Sequence, residues 1–191
     1  MESASVAFRN RCGWGAMPKH HDRIYYAIIW RQNWLAMKWI DQNQVTIEQG
    51  LYRGAVQLLH HAIRYRNYRF ARRLLQRGVD VDCRDGLGNT ALQDAAQRGH
   101  LGGIKWLIRN GADYENQKQD LLLAAVRCNH PDLVRWLLQQ GCDVNGIGSD
   151  GQTPIQHCFD YCDHQHREPM AELLLALGSN PSVAPSDDDA T

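Results

Sequence analysis

One short pattern recurs four times along this chain at nearly regular intervals. In each copy, two large aliphatic residues are followed three positions later by glycine: Leu74-Leu75 with Gly78, Leu107-Ile108 with Gly111, Leu137-Leu138 with Gly141, and Leu174-Leu175 with Gly178. Successive glycines are 33, 30 and 37 residues apart. Units of this length cannot bury an apolar face alone, so the pattern predicts a stacked tandem array.

The unit that spans residues 85–116 shows how one copy is built. Residues 85–89, Asp-Gly-Leu-Gly-Asn, are typical of a turn, because glycine reaches positive φ and Asp or Asn bonds nearby backbone. Thr90 is a good N-cap for a short helix that Gly99 ends. A second helix is predicted over residues 103–110, with apolar residues at i, i+3 and i+4.

These residues resemble an ankyrin repeat. Thr90-Ala91-Leu92-Gln93 stands in place of the family's Thr-Pro-Leu-His, and Thr153-Pro154-Ile155-Gln156 is closer still. The segment Gly111-Ala112-Asp113 matches the family's repeat ending, and the resemblance covers residues 51–181. It implies an all-α solenoid of helix–turn–helix units joined by short β-hairpin-like fingers.

The markers divide the chain into three regions. We expect an N-terminal arm at residues 1–21, an ankyrin-repeat domain at 22–183, and a disordered acidic tail at 184–191. The domain is expected to contain five repeats, of which the first is degenerate: 22–50, 51–84, 85–116, 117–149 and 150–183.

Two repeats depart from the usual length. The unit at 117–149 is short, so we expect the hairpin turn between Asn116 and Leu121 to be trimmed. The last unit is long, with its surplus at residues 163–169 between its two helices. Proline suits the first turn of a helix, so Pro169 is predicted to begin the second helix of that unit.

Charge excludes a strong bulk attraction to nucleic acid or membranes. The chain has 21 Lys and Arg and 21 Asp and Glu, hence a formal net charge of zero. Residues 1–79 carry 13 basic and four acidic residues (+9), whereas residues 80–191 carry eight basic and 17 acidic residues (−9). We therefore expect a basic end and an acidic end.

The cellular location is inferred from three features of the sequence: its apolar runs, its first residues and its cysteines. The apolar runs are far shorter than the ~20 residues that span a bilayer. The first five residues, Met1 to Ser5, lack the basic and apolar parts of a signal peptide. The six cysteines are scattered and are interpreted as free thiols. We expect a cytoplasmic protein that is monomeric on its own.

Two motifs suggest cofactor or metal chemistry but have a structural interpretation. Residues 146–151, Gly-Ile-Gly-Ser-Asp-Gly, match G-x-G-x-x-G, yet they lie where the family places a finger, so no cofactor is inferred. Cys158, Cys162, His164 and His166 could ligate zinc. Cys158, however, stands where a sister repeat has the small residue Ala95, and is better interpreted as a small buried residue.

The candidate binding residues follow the buried pair of each first helix. By resemblance to ankyrin proteins, these positions face the concave groove that receives a partner. They form an arginine ladder interleaved with aromatic residues, types enriched at binding hot spots. The alternative is that arginines simply solubilise helix ends. The candidates are Trp30, Arg31, Arg64, Tyr65, Arg98, Arg127 and Tyr161.

The sequence therefore favours a non-catalytic interaction module. We expect it to bind a protein partner with an acidic surface, as an inhibitor, an immunity-type neutraliser, an adaptor or an effector. No enzyme is expected, because no nucleophile comes with a base and an orienting third group. Nucleic-acid binding through the Arg/Tyr-rich first half and zinc binding at residues 157–166 are the alternatives.

Overall fold

The computed structural model describes the backbone of residues 52–180 and the side chains of residues 58–180. The predicted arm at 1–21, the degenerate first repeat at 22–50 and the tail at 184–191 lie outside the described residues. Two of the candidate binding residues, Trp30 and Arg31, also lie outside them.

The described residues form eight helices in four successive pairs. Their bounds are α1 Tyr52–Arg64, α2 Tyr68–Gln76, α3 Ala91–Gln97, α4 Leu101–Arg109, α5 Lys118–Arg127, α6 Pro131–Gln139, α7 Pro154–Tyr161 and α8 His164–Ala176. The predicted all-α solenoid is confirmed. None of these helices is both long enough and apolar enough to cross a membrane.

Local sequence explains where two of the helices begin. Thr90 and Thr153 each accept a hydrogen bond from the backbone N–H three residues on, and Gln93 and Gln156 each accept one from the N-cap backbone N–H. These reciprocal bonds satisfy two N–H groups that a helix start leaves without partners. By contrast, α5 begins after Gln117, which makes no side-chain capping bond.

The helices stack in two layers. The first helix of each pair, α1, α3, α5 or α7, packs on the next such helix, and each also packs on the second helix of its own pair. The apolar residues between the layers form one continuous core. Its largest fully buried side chains are Leu59, Ile63, Phe70, Leu74, Leu92, Ile104, Leu107, Leu121, Leu122, Leu133 and Leu137.

Two of the three described connections between pairs are hairpin-like. In the first, Arg84 and Thr90 form a β-bridge, and Asp85 N–H donates to the Asn89 carbonyl at 2.9 Å. In the glycine-rich one, Gln119 of α5 donates to the Gly146 carbonyl at 2.8 Å. A Cβ at Gly148 would overlap Leu123. These glycines let the finger lie directly on the preceding repeat.

One expectation about the last repeat is wrong. Helix α8 begins at His164, and Pro169 lies inside it instead of starting it. The surplus residues thus form an additional turn at the N-terminus of the helix. Proline at the sixth position leaves the Gln165 carbonyl without its helical donor, but Gln165 is exposed, where water can take that place.

Candidate functional site

The five described candidate residues lie at corresponding places in the stack. Arg64, Arg127 and Tyr161 are the last residues of α1, α5 and α7, Tyr65 directly follows α1, and Arg98 is the C-cap of α3. Each is therefore at the C-terminal end of a first-layer helix, where cations also suit the negative end of the helix dipole.

Two arginines of the predicted ladder are joined to an acid of the protein itself. Arg64 Nη2 donates to Asp94 Oδ1 at 3.0 Å, across one repeat boundary. Arg98 Nε donates to the two Asp94 oxygens at 3.1 and 3.2 Å. Asp94 is only 8% exposed. The guanidinium groups of Arg64 and Arg98 thus neutralise a buried carboxylate instead of standing free in the groove.

A histidine pair lies next to this ion-pair cluster. The rings of His61 and Tyr65 have centroids 6.5 Å apart. Burial lowers the pKa of His61 to about 4, and the positive charge of Arg64 and the coupling to the His60 imidazole act in the same direction. The pKa of His60 is also lowered, again chiefly by burial. Both imidazoles are therefore neutral near pH 7, and the local positive charge is that of the arginines.

Arg127 has a different environment. It is exposed and lines a groove of about 140 Å³ that crosses α3, α5 and α7. Within residues 58–180, its guanidinium group makes no hydrogen bond and no ion pair. The groove is lined by Asn89, Gln93, Gln97, Asp120, Leu123, Ala124, Arg127, Ser149, Asp150 and His157.

The acids of the groove are already engaged. Ser149 N–H donates to Asp120 Oδ1 at 2.8 Å. His157 Nε2 lies 2.6 Å from Asp150 Oδ2. Burial alone would raise the pKa of Asp150, but the hydrogen bonds from His157 and from Gln152 N–H outweigh it and lower the pKa. Among the charged groups that line the groove, Arg127 is thus the one without a hydrogen-bond or ion-pair partner in residues 58–180.

One aromatic side chain extends the groove along α7. Tyr161 is 53% exposed, and its ring centroid is 5.0 Å from that of His157, which lines the groove. Phe159 is also exposed, but it lies two residues from both His157 and Tyr161 and therefore on another side of the helix.

Several residues of this region were not among the sequence-based candidates: Phe159, Asp94 and the amides Gln93 and Gln97. The sequence is sufficient to locate these residues relative to the repeat markers. Their contacts, however, depend on the neighbouring repeat, because Asp94 receives one of its arginines from the preceding unit.

The candidate metal ligands do not share one environment. Cys158 and Cys162 are buried and donate to the carbonyls of Arg167 and Val126. Burial raises the pKa of Cys158 to about 12, which disfavours the thiolate that zinc needs. His164 and His166 are exposed. Among residues 58–180, no three His, Cys, Asp or Glu side chains are grouped as a metal site.

Comparison with known proteins places these repeats among ankyrin repeats. One family model, ankyrin repeats (many copies), matches residues 59–108, and another, ankyrin repeats (3 copies), matches residues 114–184. Similar proteins include mouse protein fem-1 homolog A-like, at 33% identity over 134 residues. That match covers 60% of this chain and 20% of the mouse protein.

Two further relatives show how widely such segments occur. The E3 ubiquitin-protein ligase Ufd4 of Drosophila melanogaster is 31% identical over 102 residues, which are 53% of this chain and 4% of that protein. Ankyrin repeat domain-containing protein 46 of Danio rerio is 35% identical over 86 residues, 45% of this chain and 38% of that protein. The chain spans a fifth or less of the fem-1 and Ufd4 relatives.

Proposed function

Because the chain belongs to the ankyrin-repeat family, we propose that it functions by binding a partner protein in the groove that contains Arg127. Ankyrin repeats generally mediate protein–protein interaction and are typically non-catalytic. In this proposal the chain has its effect through binding alone, as an inhibitor or an adaptor does.

The observation that carries the proposal is the state of Arg127. It is exposed in a groove whose acids Asp120 and Asp150 have internal donors. A guanidinium group with free donors recognises a carboxylate through two parallel hydrogen bonds. The partner is therefore proposed to place an Asp or Glu side chain on Arg127.

An aromatic residue adds contact area to this site. Tyr161 is exposed on α7 beside the groove-lining His157, and aromatic side chains supply much of the binding energy at interfaces. Stacked repeats hold this residue in place before docking, so little conformational entropy is lost on binding.

The remaining described candidates lie outside the groove. Arg64, Tyr65 and Arg98 lie at the ends of α1 and α3 and are not among the residues that line the groove, and the two guanidinium groups are held by Asp94. The candidates of the first repeat remain predictions, because Trp30 and Arg31 lie outside the described residues.

The test compares two charge reversals. Arg127→Glu reverses the charge in the groove, and Arg135→Glu reverses an exposed charge on the opposite layer, on α6. Immobilised wild-type and variant chains are exposed to a lysate of the source organism, and retained proteins are identified by mass spectrometry. The partner is then purified, and its Kd for each chain is measured by titration calorimetry.

We expect Arg127→Glu to weaken the Kd at least about tenfold, since a central ion pair of this kind contributes more than about 1 kcal/mol. Arg135→Glu should leave the Kd unchanged. A partner that binds wild-type chain and Arg127→Glu equally well would show that the binding surface is elsewhere.

A further inference from the structure

In residues 58–180, the helices α2, α4 and α6 differ in charge from the connections between helix pairs. The second-layer helices α2, α4 and α6 carry six Lys or Arg residues, all exposed, and one acidic residue, Asp132. The three connections between helix pairs, residues 77–90, 110–117 and 140–153, carry seven acidic residues and two arginines. The connections are thus acidic, and the second layer, which is the convex side of an ankyrin stack, is basic along α2, α4 and α6, whereas α8 carries one arginine and two glutamates.

Three of the cations on the convex side form a row across the repeats. Arg72, Lys105 and Arg135 each stand two residues before a buried leucine, so they occupy the same place on α2, α4 and α6. The position in α8 two residues before Leu174 is held by Glu172, where the row ends.

Contacts between the second-layer helices show that these helices are neighbours. The Tyr68 ring of α2 stacks on Trp106 of α4, with centroids 5.6 Å apart. Lys105 Nζ of α4 lies 5.4 Å from the centre of the Trp136 ring of α6. The row of cations therefore runs over one continuous surface.

A second row follows α2. Arg66, Arg69 and Arg72 are spaced three residues apart, so they lie near one side of the helix and its N-terminal approach. All three are exposed. Arg109 adds a further exposed cation on α4. We call these residues the convex basic surface: Arg66, Arg69, Arg72, Lys105, Arg109 and Arg135.

These cations have no acid of the described chain to neutralise them. Within residues 58–180, none of the six forms an ion pair, whereas Arg64, Arg98 and Lys118, which are paired, lie outside the convex basic surface. Six exposed positive charges, five of them on helices α2, α4 and α6 that carry one acid, Asp132, produce a field that attracts a polyanion.

We propose that the convex basic surface binds the phosphate backbone of nucleic acid without sequence preference. The repeat generates cations at a regular spacing, which suits a polymer that presents phosphates at a regular spacing. The side chains that contact the polymer are Lys and Arg on the outside of a convex stack. They reach phosphates and not base edges, which are the part of nucleic acid that carries sequence information.

The distribution of apolar residues distinguishes this ligand from a membrane. Peripheral binding to a bilayer combines basic residues with apolar side chains that insert. Among residues 58–180, the exposed large hydrophobic residues lie on the fingers, on α7 and near the end of α8: Leu87, Ile147, Phe159, Tyr161, Leu175 and Leu177. The helices α2, α4 and α6 contain none of them.

The experiment measures binding of a fluorescein-labelled duplex DNA of arbitrary sequence to the full chain by fluorescence anisotropy, over a series of salt concentrations. Six phosphate contacts predict a slope of log K against log salt of about −5. The triple variant Arg72→Gln, Lys105→Gln, Arg135→Gln should reduce the size of that slope by about 3. A second duplex of scrambled sequence should bind equally well.

The control removes the same number of charges from the other side of the molecule. Arg84→Gln, Lys118→Gln, Arg127→Gln changes exposed or half-buried residues on the fingers and on α5. The proposal expects the control to retain DNA binding. Because this control includes Arg127, it should lose the partner protein while it keeps DNA, which separates the two sites. Unchanged melting temperatures will show that both triple variants are folded.

Three results would overturn the proposal. The first is an equal loss of affinity in the control, because that would indicate attraction by net charge alone. The second is the absence of DNA binding at low salt. The third is preference for another polyanion: tighter binding to polyglutamate or to phosphatidylserine vesicles than to DNA would identify the surface as a site for an acidic protein or for a membrane.

Discussion

Asp94 carries a buried carboxylate into the space between two repeats. A buried carboxylate is strongly destabilising unless it is paired and hydrogen-bonded. Asp94 meets this condition with two arginines, Arg64 from the preceding repeat and Arg98 from its own. One acid therefore connects two repeats. It also holds the two guanidinium groups away from the groove.

Replacing Asp94 by Asn should lower the free energy of unfolding by about 1–3 kcal/mol, because two charge-assisted hydrogen bonds weaken and Arg64 loses its counter-charge. The lower part of this range is expected, since the side chains of Arg64 and Arg98 are 28% and 46% exposed and water screens the pair. Urea denaturation measures the change. Asp132→Asn, at an exposed position on α6, is the matched control and should change the value little. Equal losses in the two variants would contradict the role given to Asp94.

His61 should make stability depend on pH. Its pKa is lowered from 6.5 to about 4, chiefly by burial and then by Arg64 and His60. The unfolded chain therefore takes up this proton first as the pH falls, and stability is lost from about pH 6.5 towards pH 4. His61→Gln should lose less stability than wild type between neutral pH and about pH 5.

The control for this pH effect is His164→Gln, which replaces an exposed histidine. It should show the same pH dependence as wild type in urea denaturation at the two pH values. If His61→Gln and wild type lose the same free energy on acidification, another group carries the effect.

At the scale of the helical element, the turn at Gly99 links the end of α3 to the next repeat. Gly99 has a φ of +63°, and a Cβ there would lie 2.6 Å from His130 Nδ1. His130 Nε2 donates to the Gln97 carbonyl at 2.9 Å, which is one of the carbonyls that the end of α3 leaves without a helical partner. The absence of a side chain at Gly99 is what lets this histidine approach.

Gly99→Ala should therefore cost more than Gly111→Ala. Gly111 has a φ of +93°, and a Cβ on this residue would have no other atom within 4 Å, so alanine there brings only backbone strain, about 1–2 kcal/mol. At Gly99 the strain is joined by a clash with His130, and we expect about 1–3 kcal/mol more. Urea denaturation of the two variants gives the comparison. Equal destabilisation would show that His130 moves aside freely.

The boundaries of elements show what local sequence can and cannot predict. Thr90 and Thr153 are identifiable as helix starts, because a capping box depends only on residues three apart. The place of Pro169 is not predictable in this way, because local rules place proline in the first helical turn, whereas α8 begins five residues earlier and continues through it.

The candidate site shows the same division between local and non-local information. The C-terminal ends of the first-layer helices follow from the repeat, so the sequence is sufficient to place Arg64, Arg98 and Arg127 at equivalent positions. The capture of Arg64 and Arg98 by Asp94 depends instead on distances between repeats, which no local pattern encodes.

At the scale of the whole molecule, a net charge of zero conceals two charged surfaces. The sequence shows that the two halves of the chain have opposite net charge. The structure adds a second difference in charge, between the fingers and the convex side. A repeat makes this separation possible, since each unit places its finger and its second helix on opposite sides of the stack. The two proposed ligands, a partner protein in the groove and nucleic acid on the second layer, would therefore not compete for the same residues.

The effect of a core substitution on the rest of the stack should also depend on which repeat contains it. Leu107 on α4 and Leu174 on α8 occupy the same place in their repeats, and both are 0% exposed. Truncation to alanine should create a similar local cavity, at about 2–5 kcal/mol. Leu107 lies in an inner repeat with described neighbours on both sides, whereas Leu174 lies in the last described repeat.

Hydrogen exchange followed by mass spectrometry should separate the two variants. Since a repeat is stabilised mainly by its nearest neighbours, Leu107→Ala is expected to raise exchange in α1 and α2 as well as in α5 and α6. Leu174→Ala should raise it in α7 and α8 and leave α1 and α2 protected. If both variants raise exchange evenly over residues 52–180, the repeats unfold as a single cooperative unit and the stability of each cannot be assigned to its neighbours.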